Sequence, residues 1–183
     1  NLELTQNLSG EFEHSLAWVL DRCASAMGSR LLRRWLHQPL RDRVTLLRRQ
    51  EAVAELQQNY RFEPLREILR DVGDVERILA RVALKSARPR DLSRLRDTLA
   101  LLPQLQADLR ALQTPHMQEI ARQISEHPAL VDLLTRAIIE SPPVVMRDGG
   151  VIAEGFDAEL DELRALSANA GDYLLQLEQR ERD

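Results

Sequence analysis

The paired glycines Gly149 and Gly150 are residues whose type and spacing could support chemistry, namely the binding of phosphate. Glycine-rich loops hold phosphate through backbone N–H groups, most often at the start of a helix. Here the glycines lack the Gly-x-x-x-x-Gly-Lys order of nucleotide-binding loops, and a strand-like apolar run follows them. Asp148 and Gly149 form an Asp-Gly pair that is typical of tight turns. The pattern therefore predicts a small β-hairpin near 144–155 that needs no ligand.

Arginine side chains offer a second possible chemistry, contact with the phosphate groups of a nucleic acid. Arg30, Arg33 and Arg34 lie at helical spacing and predict a weak phosphate-contacting patch. They belong to a stretch, 21–50, that has two aspartates and eight arginines: Arg22, Arg30, Arg33, Arg34, Arg41, Arg43, Arg48 and Arg49. Arginine is also the general cation of this chain, which has one lysine. The alternative is therefore a solvated face whose arginines pair with carboxylates.

Other catalytic and metal-binding patterns are not found in the sequence. His14, His37, His116 and His127 show neither the His-x-x-x-His nor the Glu-x-x-His spacing of helical metal sites. Cys23 is the single cysteine, and no serine lies in a Gly-x-Ser-x-Gly turn. We therefore predict no catalytic residue, no cofactor-binding residue and no metal site in this chain.

The composition is that of a helical globular protein. Of 183 residues, 44% are hydrophobic and 30% are charged, and seven aromatic residues are few for a β-sandwich. A single cysteine allows no internal disulfide and favours a reducing, cytoplasmic compartment. The sequence has no run of 18 apolar residues and no signal-peptide pattern. A cytoplasmic protein without membrane contact is the expectation.

The spacing of apolar residues predicts a mainly α fold. The stretch 75–83 carries a clear amphipathic stripe, and Pro89, Pro115 and Pro128 each mark the start of a helix. Pro103 predicts the end of the helix that begins at Pro89.

The first five residues, 1–5, alternate between polar and apolar and predict a short strand at the N-terminus. Together with the helices and the hairpin, this strand completes a predicted multi-helical core domain over residues 1–156.

A long helix is predicted over residues 157–183. Its apolar positions follow a seven-residue repeat that is typical of coiled coils, at Phe156, Leu160, Leu163, Ala170, Leu174 and Leu177. Eight acidic residues stand against three arginines in this segment. We expect weak self-association through it, as an antiparallel homodimer that salt strengthens by screening the acidic charges. The alternative is a free-standing helical adaptor that binds a partner with the same helix.

Five segments of the sequence resemble the MutS family of bacterial DNA mismatch-recognition ATPases. They occur in order along nearly the whole chain: NLELTQNL at 1–8, MGSRLLRRWLHQPL at 27–40, GDVERILAR at 73–81, ARPRDL at 87–92 and DGGVIA at 148–153.

The resemblance implies the core, or lever, domain of such a protein: a helical bundle over 1–156 and, from 157, the start of a lever helix that leads toward a clamp domain. It also implies a structural and allosteric connector with no catalytic site of its own, taken from a longer homodimeric protein. That parent would bind ATP and magnesium, mismatched double-stranded DNA and a MutL-type partner. The family's Phe-x-Glu mismatch-reading motif and its nucleotide-binding loop have no counterpart in this sequence.

Overall fold

The computed structural model describes residues 3–144 and 146–182, apart from the side chains of 148, 172–178, 181 and 182. The described part is mainly helical, as predicted, but the small β-hairpin that the predicted fold class included is not found in it. Its nine α-helices are α1 (Leu16–Leu20), α2 (Ala26–His37), α3 (Arg43–Gln57), α4 (Phe62–Asp71), α5 (Val75–Ala83), α6 (Pro89–Arg110), α7 (Pro115–Gln123), α8 (Pro128–Ala137) and α9 (Ala158–Arg182). Short 3-10 turns occupy Gln58–Tyr60 and Met146–Asp148. None of the described helices is both long and apolar enough to cross a membrane.

Helix α6 is the centre of the bundle and contacts α4, α5, α7 and α8. Its C-terminal half contributes Leu105 and Leu109 to one buried cluster, with Ala52, Leu65, Leu112, Met117 and Ala121. Its N-terminal half contributes Leu95 and Leu99 to a second cluster, with Ile78 and Leu134. One helix therefore joins two cores, and displacing it would affect both.

The prolines at 89, 115 and 128 begin α6, α7 and α8, as predicted, because a first helical position needs no N–H donor. The prediction that Pro103 ends α6 is wrong, since the helix continues to Arg110. A proline inside a helix costs about 3 kcal/mol. Burial of Leu99 before it and of Leu105 and Leu109 after it offsets that cost.

The β-hairpin predicted near 144–155 is wrong. The structure has no β-strand among its described residues, and residue 145 of the predicted first arm lies outside them. Residues Met146–Asp148 form a 3-10 turn instead, and the Gly149 N–H donates to the Met146 carbonyl. Gly149 and Gly150 do turn the chain, with φ angles of 70° and 65° that favour glycine.

The segment after these glycines pairs with the end of α8, not with 144–148. Ile138 and Ile152 form an isolated antiparallel bridge. The Ile139 N–H donates to the Val151 carbonyl, and the Ala153 N–H donates to the Ala137 carbonyl. The hairpin prediction therefore chose the wrong partner for residues 151–153, because local turn chemistry does not reveal a partner twelve or more residues away.

The short N-terminal strand is also a wrong prediction for the residues that can be assessed. Residues 1 and 2 lie outside the described part, Glu3 is in no regular structure, and Leu4 and Thr5 form bends. The carbonyls of Glu3 and Leu4 accept hydrogen bonds from Leu16 and Ala17 at the start of α1. These carbonyls satisfy two of the N–H groups that every helix start leaves free.

Gly73 marks a close approach between the α4–α5 connection and α6. A Cβ atom at this position would lie 2.7 Å from Arg94 Cγ and 3.0 Å from Thr98 Oγ1. The Gly73 N–H also donates to Thr98 Oγ1 at 2.8 Å, and Thr98 is buried. The side chains of α6 leave room only for glycine here.

Replacing Gly73 by alanine should lower the free energy of unfolding by about 1–2 kcal/mol, because the new methyl group must displace the Arg94 and Thr98 side chains of α6. Gly171→Ala on α9 is the matched control. Nothing lies within 4 Å of a Cβ at that position, so this change should stabilise the helix by up to about 1 kcal/mol. Urea unfolding measures both, and a Gly73→Ala protein as stable as the wild type would contradict the close approach.

Candidate functional site

The sequence-predicted phosphate patch begins with Arg30, which the structure places in an ion-pair network. Its guanidinium donates to both carboxylate oxygens of Asp74 at 2.7 Å and to Glu76 at 2.7 Å. The Arg30 hydrogen bonds hold the pKa of Asp74 below its ordinary value, in spite of partial desolvation. Asp74 also accepts from the Arg77 N–H and so caps α5. Arg30 thus links α2 to the start of α5.

The other two arginines of the patch have different surroundings. The Arg33 guanidinium lies over the Phe12 ring, 4.6 Å from its centroid, and both Arg33 and Arg34 are exposed on α2. A similar stacking, which the sequence analysis missed, places Arg49 of α3 over the Trp35 ring at 3.9 Å. Arg30, Arg33 and Arg34 therefore do not share one environment, and Arg34 is the member most open to a phosphate.

A cleft of about 510 Å³ lies beside this network, between α5, α6 and residues 140–142. Its wall includes an ion pair in which Arg81 Nε donates to Asp91 at 2.7 Å, and this contact holds the pKa of Asp91 below its usual range. The charged residues of the lining are four acids and three arginines: Asp74, Asp91, Asp97, Glu140, Arg81, Arg90 and Arg94. The charges are nearly balanced, so the cleft does not select an anion.

The four histidines and Cys23 do not converge on a site. Within the part of the chain that the structure describes, no group of three His, Cys, Asp or Glu side chains is placed to hold a metal ion. His37 lies 3.1 Å from the Thr5 hydroxyl, His14 packs against the Trp18 ring, and Cys23 is exposed.

The most developed polar arrangement connects α6 to the segment that leads into α9. Arg96 is only 9% exposed, and its guanidinium donates to the carbonyls of Ile138 and Glu140 at 3.3 Å and of Ile139 at 3.5 Å. Arg90, one and a half turns earlier on α6, donates to the Pro142 carbonyl at 3.2 Å. Two arginines of α6 therefore hold the chain that leaves α8.

The same connection continues into α9. Residues 151–153, which pair with the end of α8, provide the Ile152 carbonyl as an acceptor for Arg164 of α9 at 2.8 Å. Arg164 also pairs with Asp161 at 3.0 Å, and Asp161 accepts from the Gly155 N–H at 2.7 Å. We call Ile152, Gly155, Asp161 and Arg164 the α9 joint.

This arrangement can transmit position but does not suggest proton transfer or group transfer. Charge-assisted hydrogen bonds are short and directional, so they fix both the distance and the angle between the elements that they join. The sequence analysis missed Arg96 and Arg164. A signal was present for Arg96, because a lone arginine lies within the apolar spacing of Leu92, Leu95 and Leu99 on α6.

A comparison with known protein families assigns this chain to a family. A family model described as MutS domain III matches residues 1–182. Because this match covers the chain from its first residue almost to its last, the chain belongs to the MutS domain III family.

Proposed function

We propose that this chain is the connector of a MutS-like DNA mismatch repair protein, and that it passes conformational changes between other parts of that protein. Family membership supports the mismatch repair context. The connector role is supported by one structural observation, the continuous polar connection from Arg96 through residues 138–140 and 151–153 to Arg164.

The physical argument for a connector rests on what this connection fixes. A helix attached by apolar contacts alone can slide or rotate, since apolar contacts have little directional preference. Helix α9 is instead held at its start by Arg164 and Asp161, which bond to backbone groups of Ile152 and Gly155. A movement of α6 therefore changes the position of the Ile152 carbonyl, and α9 must follow.

The remaining parts of the proposal concern the parent protein. Mismatch reading and the binding of ATP and magnesium belong to other domains, a MutL-type protein is a partner, and the parent is a bacterial, cytoplasmic homodimer. The chain itself is not an enzyme in this proposal. Its contact with DNA is limited to weak phosphate binding by Arg30, Arg33 and Arg34, of which only Arg34 needs no prior rearrangement.

Self-association through residues 157–183 is a further part of the proposal, and it also supports the alternative function of a helical adaptor. Leu163 and Leu166 of α9 are 56% and 66% exposed, whereas Leu160 is half-buried. Leu174 and Leu177 of the predicted seam have side chains outside the described part. Exposed leucines on a helix favour burial against another helix.

Replacing Arg164 by methionine in a complete MutS-type protein with this domain tests the connector role. The methionine keeps the apolar stem but removes the two hydrogen bonds that Arg164 donates in the joint. We expect the stimulation of ATP hydrolysis by mismatched DNA to fall several-fold, while hydrolysis without DNA stays unchanged. Steady-state hydrolysis with mismatched, matched and no duplex measures this difference.

Arg136→Met is the matched control, because among the described residues Arg136 pairs with Asp132 alone, one turn away on α8, and both are exposed. It should leave the mismatch response intact. Equal responses in the Arg164→Met and Arg136→Met proteins would mean that the joint carries no coupling, and the connector proposal would fail.

A further inference from the structure

Helix α3 has apolar side chains on two opposite sides. One side carries Ala52 and Leu56, which pack into the buried cluster that α3 shares with α4, α6 and α7. The other side is a stripe of seven residues at the i, i+3, i+4, i+7 spacing of one helix face, and all seven are exposed. We call them the outer stripe of α3: Arg43, Leu46, Leu47, Gln50, Val53, Ala54 and Gln57.

The composition of the outer stripe differs from that of a helix side that faces water. Leu46, Leu47 and Val53 are 38%, 48% and 54% exposed, and Arg43 at the N-terminal end is the one charged member. A surface helix normally presents charged and polar residues on its outer side, and a helix that is apolar on both sides is normally buried on both. Large apolar side chains grouped on a surface indicate a site for a partner.

The order of side chains along the outer stripe specifies the chemistry of that partner. Leu46 and Leu47 project near one end, whereas the small Ala54 lies two turns later. Close packing sets small side chains against large ones, so the partner has small residues opposite the leucines and a large apolar residue opposite Ala54. Gln50 lies between them, and its amide needs a hydrogen-bonding group when it is covered. The partner is therefore an apolar helix with one polar residue near its middle.

The area of the outer stripe indicates that this helix is attached to the same protein. The 15 residues of α3 span about 22 Å, and a face of about 100° on a helix about 10 Å wide gives roughly 200 Å². A stable complex between separate proteins buries about 800 Å² on each partner. A tethered segment acts at a millimolar effective concentration, so a much smaller contact is sufficient. The family description, MutS domain III, names one domain of a larger protein.

We propose that the outer stripe of α3 is covered by an apolar helix from another domain of the same MutS-like polypeptide. This inference rests on the proposed MutS-like parent, but it does not depend on the connector role of α9. Helix α3 is then packed on both sides, against the bundle on one and against the neighbouring domain on the other.

Hydroxyl-radical footprinting of the isolated chain and of a complete MutS-type protein with this domain tests the proposal. Labelling of Leu46 and Leu47 should be about threefold lower or less in the complete protein, because a covering helix removes their apolar surface from water. The protection should persist when the complete protein is diluted about a hundredfold, since a tethered contact does not depend on concentration.

Ala54→Arg should remove this protection. Ala54 is exposed and arginine is a good helix former, so the isolated variant should keep its helix content. In the complete protein the long side chain would displace the partner helix, and labelling of Leu47 should rise to the level of the isolated chain. Ala129→Arg is the matched control, because Ala129 is exposed on α8, three residues before the exposed Asp132. It should leave the labelling of Leu47 low.

Equal labelling of Leu46 and Leu47 in the isolated chain and the complete protein would overturn the proposal, and so would loss of protection on dilution. Dimers of the isolated chain that Ala54→Arg abolishes in sedimentation would also overturn it, because the partner would then be a second copy. If complete Ala54→Arg protein does not fold, the wild-type labelling decides alone. The connector proposal is tested separately, by the mismatch response of the Arg164→Met protein, so either proposal can fail without the other.

Discussion

Replacing Glu55 by glutamine is expected to lower the free energy of unfolding by about 3 kcal/mol. Glu55 is 7% exposed, and its carboxylate accepts from the Gln113 N–H at 2.6 Å, the Thr114 N–H at 2.9 Å and the Thr114 hydroxyl at 2.7 Å. Arg61 lies 3.3 Å away. This one side chain on α3 therefore holds the loop that begins α7.

The glutamine has nearly the same shape but cannot replace the carboxylate. Its NH2 group donates hydrogen bonds, so one of the two backbone N–H groups at 113 and 114 would face another donor. A buried donor without an acceptor costs about 1–3 kcal/mol, and the ion pair with Arg61 is lost as well. Glu51→Gln, at an exposed position one turn earlier on α3, is the control and should change the stability by less than about 0.5 kcal/mol. Urea unfolding near neutral pH compares the two.

The pH dependence of stability provides a second test of Glu55. Burial by itself raises the pKa of Glu55, but the hydrogen bonds from Gln113 and Thr114, with the charge of Arg61, together hold it below the ordinary 4.5. A carboxyl with a lowered pKa in the folded state stabilises the protein fully above its unfolded pKa, and this stabilisation disappears as the pH falls toward the folded pKa. The difference in stability between wild type and Glu55→Gln should therefore shrink below about pH 4.5. A constant difference from pH 6 to pH 3 would contradict this account.

Arg96→Met is expected to cost about 2 kcal/mol of stability and to loosen the chain between α8 and α9. The methionine preserves the apolar stem of the buried arginine, but the carbonyls of Ile138, Ile139 and Glu140 lose their common donor. The bridge between Ile138 and Ile152 then depends on its own two backbone hydrogen bonds.

Amide hydrogen exchange can detect the loosening of the chain between α8 and α9. The N–H groups of Ile139 and Ala153 donate across the bridge and should exchange faster in the Arg96→Met protein by more than the change in global stability explains. Arg110→Met, at the exposed end of the same helix, should leave both amides unchanged. Unchanged exchange at 139 and 153 in the Arg96→Met protein would show that the bridge is independent of α6.

Sequence patterns predicted the helices best where the deciding physics is local. Pro89, Pro115 and Pro128 indicated three helix starts correctly, because a proline at a first helical position affects only its own turn. Pro103 gave a wrong helix end, because α6 continues beyond it through the burial of its leucines against neighbouring helices. The hairpin failed for the same reason, because residues 151–153 pair with the distant end of α8.

The polar contacts of the candidate site were beyond reach of the sequence for a related reason. Glu55 accepts hydrogen bonds from Thr114, which lies 59 residues later in the sequence. Arg96 donates to carbonyls that lie 42 to 44 residues later. Spacing along a chain identifies neighbours on one helix, but it does not say which helices meet. The same holds for the predicted phosphate-contacting patch, because only the fold shows that Arg30 forms ion pairs with Asp74 and Glu76.

The α9 joint has a mechanical consequence that follows from its position. The 25 residues of α9 span roughly 37 Å at 1.5 Å per residue, and Arg164 lies about 9 Å from the start. If the start of the helix is the pivot, a sideways shift of about 1.5 Å at Arg164 becomes about 6 Å at the far end, by simple proportion along a straight rod. The position of the far end therefore depends on the stiffness of the two hydrogen bonds that join Asp161 to Gly155 and Arg164 to Ile152. In a longer helix, the same small movement at these bonds would displace the far end further.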